Sequence, residues 1–290
     1  MIEDYVVLAG LNVVLAWSVY IILMSGSLSF ANGAFMAMGA YASSVLTVNF
    51  GVPLLAAAAV AGLGTAMFGA LVGFPALRTR GIYLILLTTG LAISVQSAVQ
   101  SMPYLGGIQG FGGMVGTTPW HVVVLVAVVG AGLWLLSRSP AQRVLDAVRE
   151  DEIVAGALGI RVVYVKLLCF GTGAGIAAVA GAFYAHYIIF ISPEQFSIVA
   201  SVYIVLYAVL GGTNNMWGPA LGAVIMTLLP ELVRGLQSWR PTAFGLVILL
   251  LLLVRPDGLL AFRSLTARRR DAAAARPDTA AAVRPERGAP

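Results

Sequence analysis

Residues 5–77 contain no aspartate, glutamate, lysine or arginine. Soluble domains carry about 25% charged residues, so a run of this length has no place on a water-facing surface. A helix crosses the hydrocarbon with about 20 apolar residues, which gives residues 5–77 room for about three crossings. The rest of the chain is similar: 60% of its 290 residues are hydrophobic and 10% are charged. Strands of a membrane barrel alternate apolar and polar side chains, and these runs of Ala, Leu, Val and Ile do not. The sequence predicts an all-α, polytopic transmembrane helical bundle.

Apolar spans are read at 5–24, 34–50, 54–74, 82–99, 119–137, 166–190, 196–211, 217–233 and 241–254. Several fall short of about 20 residues, so the expected total is about 8–10 with broken or re-entrant helices among them. The N-terminal MIEDY is acidic and lacks the basic start of a cleaved leader, so the first run is expected to remain as a span. Lys and Arg in short loops set orientation. Arg78 and Arg80 occupy one loop; Arg138, Arg143, Arg149, Arg161 and Lys166 another; Arg255, Arg263 and Arg268–Arg270 the tail. Nine spans with an outside N-terminus place all three in the cytoplasm and leave Arg234 and Arg240 as the minority outside. An even number of spans would put the N-terminus inside.

Most of the +5 net charge lies from Arg255 onward, beside a membrane span, so basic composition here does not indicate nucleic acid. Residues 1–262 read as a transmembrane domain. Residues 263–290 are Ala, Arg, Pro and Asp with few large apolar side chains, which predicts a disordered basic cytoplasmic tail. Its arginine triplet is a topology signal or a contact for anionic headgroups. Cys169 is the single cysteine, so disulfides play no part.

Catalytic signatures are missing. The chain has no HExxH zinc site, no G-x-S-x-G elbow and no Asp-rich motif for magnesium and diphosphate. His121 and His186 are far apart, each beside an aromatic residue, and read as interfacial. A phosphate loop needs G-x-x-x-x-G-K-[ST], and the only lysine is Lys166. No cofactor is expected in this chain. No acidic residue sits at a span centre, which argues against proton coupling. Gly171, Gly175 and the series Gly173, Ala177, Gly181 form small-residue stripes suited to close helix approach.

The loop 138–166 is too long and too patterned for a connector. Ser139 precedes Pro140, with Gln142 three residues on, the pattern of a capping box opening a helix. Val144, Leu145 and Val148 give that helix an apolar side. The acidic triplet Glu150–Glu152 interrupts the pattern, Ile153, Val154, Ala157 and Leu158 resume it, and Gly159 supplies a stop. Two short amphipathic helices are expected.

The run RVLDAVREDEIVAGALGIRVVYVKLLCF resembles the cytoplasmic loop of branched-chain amino acid ABC transporter permeases. The resemblance covers most of residues 5–262. It includes LSFANGAFMAMGAYASS at 28–44, ALRTRGIYLILLTTGLA at 76–92, GAGIAAVAGAFYA at 173–185, VLGGTNNMWGPALGAVIMTLLPELVRG at 209–235 and LVRPDGLL at 253–260. K-L-L-C-F, W-G-P and L-L-P-E-L-V-R resemble the M-type subunit; Phe30-Ala31-Asn32-Gly33 leans to its H-type partner. The resemblance implies an importer in a bacterial inner membrane. Two permease chains, this one and a second (H-type) subunit, form the pathway, two cytoplasmic ATPase subunits bind ATP and Mg, and a periplasmic binding protein delivers solute. It implies a coupling role for the loop, at Arg143, Arg149, Glu150, Asp151, Glu152, Ala155 and Gly159.

A pathway for a zwitterionic solute needs hydrogen-bonding groups rather than fixed charge, which makes Asn12, Asn32, Gly33, Thr88, Thr89, Ser94 and Gln96 candidates by location; each could equally satisfy a neighbouring helix. Residues 105–113, LGGIQGFGG, fall on the outer side as a linker or a binding-protein contact. Gly211, Gly212, Gly218 and Pro219 mark a tight turn or helix break. Related systems of this resemblance carry urea, short amides or other amino acids. The rival from another class is a stand-alone channel or carrier.

Overall fold

The computed structural model describes residues 2–79, 81–232 and 245. Its helices are α1 (Ile2–Met24), α2 (Asn32–Phe50), α3 (Leu54–Ala76), α4 (Ile82–Ser101), α5 (Pro119–Arg138), α6 (Pro140–Glu150), α7 (Glu152–Ala157), α8 (Val162–Ile188), α9 (Ile198–Gly211) and α10 (Trp217–Leu232). Two short strands, β1 (Phe111–Gly112) and β2 (Phe190–Ile191), pair antiparallel between loops. Among the described residues, α1, α3, α4, α5 and α8 are long and apolar enough to cross a membrane. α9 and α10 have 14 and 16 residues, about 21 and 24 Å of helix against a ~30 Å hydrocarbon core. Short helices were expected where the chain breaks, and the first eight predicted spans coincide with α1–α5 and α8–α10. The span at 241–254, Arg234, Arg240 and the tail 263–290 lie outside the described residues.

α8 is the axis of the bundle and packs lengthwise on α1, α2 and α3. Its small-residue stripes explain how. In lipid the apolar surroundings are as favourable as another helix, so association rests on close van der Waals fit. Gly171 and Gly175 face Ala66, Ala70 and Gly62 of α3; Gly173 faces Ser18 and Ile22 of α1; Gly181 lies against the Met36 carbonyl of α2. From the other side, Gly39 of α2 lies on the Ala178 backbone. Gly62 meets Val179 while Gly73 meets Phe170, so α3 runs antiparallel to α8. Phe35 and Phe170 close this core edge-on, ring centroids 5.6 Å apart. α1 is inside, with 67% of its span buried; α5, at 11%, is peripheral.

Polar contacts mark the two ends. At one end β1 and β2 join the α4–α5 and α8–α9 loops, and the Asn49 amide donates to the Tyr104 hydroxyl. Thr117 donates to the Phe183 carbonyl (3.1 Å) and Tyr187 to Asp4 Oδ1 (2.6 Å). His186 lies buried near this end, bonded to the Ala182 carbonyl (2.8 Å) and the Thr47 hydroxyl (2.9 Å). His121 stands in the first turn of α5, where Nδ1 accepts from the Thr118 amide (3.2 Å). His121 sits at a helix terminus, whereas His186 is enclosed between helices. The opposite end carries α6, α7 and the α1–α2, α3–α4 and α9–α10 connections.

Candidate functional site

α6 begins at Pro140, whose fixed φ suits the first helical position. The expected capping box does not form. Ser139 Oγ donates back to the Leu136 carbonyl (2.8 Å), and Gln142 Nε2 donates to Asp146 Oδ1 (2.9 Å). Leu145 and Val148 are buried, the apolar side the sequence indicated.

Asp151 separates the two helices and caps the second. Its Oδ1 accepts from the amides of Ile153 (2.8 Å) and Val154 (3.1 Å), satisfying donors that a helix start leaves open. Ala155 is the buried residue of α7. Gly159 ends the unit at φ +88, with nothing within 4 Å of an added Cβ. Backbone conformation, not space, therefore demands glycine there.

Three ties hold the unit to the bundle. Glu152 pairs with Lys166 in the first turns of α8. Gly26, at φ +74 in the α1–α2 connection, lies under α6, where an added Cβ would come 3.5 Å from Arg149 Cα. Arg149 reaches Thr213 twice, from Nη1 to the carbonyl (3.1 Å) and from Nη2 to the hydroxyl (2.9 Å). The coupling candidates thus divide. Arg143 and Glu150 face outward; Arg149, Asp151 and Glu152 are engaged within the chain; Ala155 and Gly159 shape the helix pair. Sequence reasoning missed Thr213, Gly26 and the counterpart role of Lys166. A lone lysine just inside an apolar helix was the available signal, since such a charge needs a carboxylate.

Ile153 (74% exposed), Val154 (55%) and Leu158 (75%) project from α7 and its end. They resume the apolar pattern as read, but point away from the bundle. The helix pair therefore offers an apolar ridge edged by charge.

The α9–α10 turn is closed by backbone contact. A Cβ on Gly211 would run into the Gly218 carbonyl, and one on Gly218 into that of Gly212. Gly212 has φ +94, and Trp17 Nε1 donates to the Met216 carbonyl (2.8 Å). α10 starts at Trp217, so Gly218 and Pro219 occupy its first turn.

The pathway candidates also divide. Asn32 Nδ2 donates to Ser18 Oγ (2.8 Å), the Gly33 amide to Ser201 Oγ (3.1 Å), and the Phe30 amide to Thr88 Oγ1 (3.2 Å). This is one buried polar seam linking α1, α2, α4 and α9. Asn32 Oδ1 has no hydrogen-bond partner among the described residues. Asn12 lies elsewhere, donating to Thr227 Oγ1 of α10 (2.9 Å). Ser94 is exposed on α4, and Thr89 and Gln96 are half-buried there.

The family described as "Branched-chain amino acid transport system / permease component" matches residues 1–255. The chain is 30% identical to the high-affinity branched-chain amino acid transport system permease protein LivM of Salmonella typhimurium, over 88% of this chain and 67% of that one. The same protein of Escherichia coli K12 matches to the same extent. The autoinducer 2 import system permease protein LsrC of Escherichia coli DH10B is 26% identical over 87% of this chain and 77% of its own. No solved structure matches. Likeness to LivM agrees with the M-type motifs rather than with the lean of residues 28–44.

Proposed function

This chain belongs to the branched-chain amino acid transport permease family, and we propose that it is one permease of an ATP-binding-cassette importer in a bacterial inner membrane. In that reading a second, H-type permease completes the pathway, two cytoplasmic ATPase subunits bind ATP and Mg, and a periplasmic protein delivers the solute. Branched-chain amino acids are the proposed cargo. One observation carries the reading: α6 and α7 project from one end of the bundle, tied to it by Glu152–Lys166 and Arg149–Thr213, with Ile153, Val154 and Leu158 exposed. Apolar side chains at a solvent-facing tip invite a protein partner. Arg78, Arg138, Arg143, Arg149, Arg161 and Lys166 crowd that end, consistent with a cytoplasmic location.

Affinity purification from native membranes tests this. An ATPase and a second permease are expected to co-purify, and the assembled complex in liposomes takes up L-leucine only with ATP inside. L-leucine uptake by the chain alone would overturn the proposal in favour of a carrier. The LsrC relatives carry a different cargo in their name, so the cargo assignment is tested separately, by competition of leucine uptake with urea and other amino acids.

A further inference from the structure

The outward face of the helix pair accounts for a partner; Arg149 is left over. It carries a positive charge at the tip of a helix, yet its guanidinium is turned back onto Thr213 rather than outward. We propose that Arg149 is a positioning residue that makes the α9–α10 turn travel with α6 and α7 as one body. The inference rests on the importer reading, since motion of α6–α7 is what it transmits.

The geometry is specific to arginine. The planar guanidinium offers two donors in a fixed fork, here to one backbone oxygen and one hydroxyl of the same residue. A lysine ammonium is a point charge and cannot reproduce both bonds in that plane. The target is also braced. The backbones of Gly211, Gly212 and Gly218 lie against one another, and the Trp17–Met216 bond ties the turn to α1. A pull on Thr213 is therefore passed to the helices rather than absorbed by a loop.

α9 leads onward. Its Ser201 holds the Gly33 amide, the entrance to the buried seam of Asn32, Ser18 and Thr88. A chain of contacts thus runs from the exposed tip at Leu158 to polar groups deep in the bundle. Coupling along such a chain is read as motion of its parts relative to one another.

Nitroxide labels at Asp146→Cys and Asn214→Cys, in a Cys169→Ala background, report the distance between helix pair and turn. Both sites are exposed. The assembled complex is measured nucleotide-free and trapped with ATP and vanadate. One unchanged, narrow distance in both states is expected. Arg149→Ala should broaden or shift it on trapping, and lower L-leucine uptake per ATP hydrolysed at least about fivefold, the scale of a modest coupling free energy. Arg149→Lys should restore part of both, and Thr213→Val should add little to Arg149→Ala. A distance that changes on trapping in the parent complex, or an Arg149→Ala complex with unchanged distance and coupling, overturns the inference while the importer reading stands. If no ATPase assembles with the chain, both fall together.

Discussion

Lys166 is the chain's only lysine, and Glu152 stands beside it at the start of α8. Their exposures are unequal: the lysine side chain retains 10% and the glutamate 34%. Removing the glutamate strands an ammonium with little access to water, whereas removing the lysine leaves a carboxylate that can still turn outward. Glu152→Leu is therefore expected to cost about 1–3 kcal/mol, less than a fully buried pair because Glu152 stays partly solvated. Lys166→Met should cost less, and Lys166→Met/Glu152→Leu should recover most of the loss. Thermal unfolding in detergent checks the order, and a double variant no better than Glu152→Leu would refute it. The sequence displayed both charges fourteen positions apart, but a pairing across the Gly159 turn depends on which way α7 leaves that turn. Asp151 is similar: an acidic residue in an acidic run, distinguished as a cap only by the amides that meet it.

Helix packing was more legible. The stripes Gly171–Gly175 and Gly173–Gly181 stood out at helical spacing; in the structure the first meets α3, while the second is shared between α1 at Gly173 and α2 at Gly181. The sequence could not say which neighbour, because a missing side chain carries no address. This yields a graded prediction. Gly39→Ala and Gly181→Ala force a methyl against the backbone of Ala178 and Met36, and are expected to destabilise by about 1–3 kcal/mol, the cost of overpacking. Gly64→Ala and Gly132→Ala meet nothing within 4 Å and should leave the unfolding midpoint unchanged or raised, since alanine is the better helix former. Equal effects at all four positions would contradict the packing described.

At the scale of the whole molecule, the two ends are built differently. One is fastened by a strand pair and tyrosine hydrogen bonds; the other presents α6 and α7 with an apolar ridge. Val154→Asp with Leu158→Asp places charge where a partner would bury apolar surface. The expected outcome is loss of ATPase co-purification with an unchanged unfolding midpoint, because neither side chain packs on the bundle. Co-purification that survives would move the docking surface away from α7. The sequence by itself determined the helical membrane fold, most span positions and the two-helix loop. These follow from local facts: charge is excluded from hydrocarbon, and helices announce themselves by run length, proline and glycine. Which candidates face a partner, which face the chain, and which join the Asn32 seam was decided by tertiary structure alone. Hydrogen bonds such as Arg149 to Thr213 and Gly33 to Ser201 join residues 64 and 168 positions apart, and the packing of α9 and α10 against α1 and α2 brings such distant segments together.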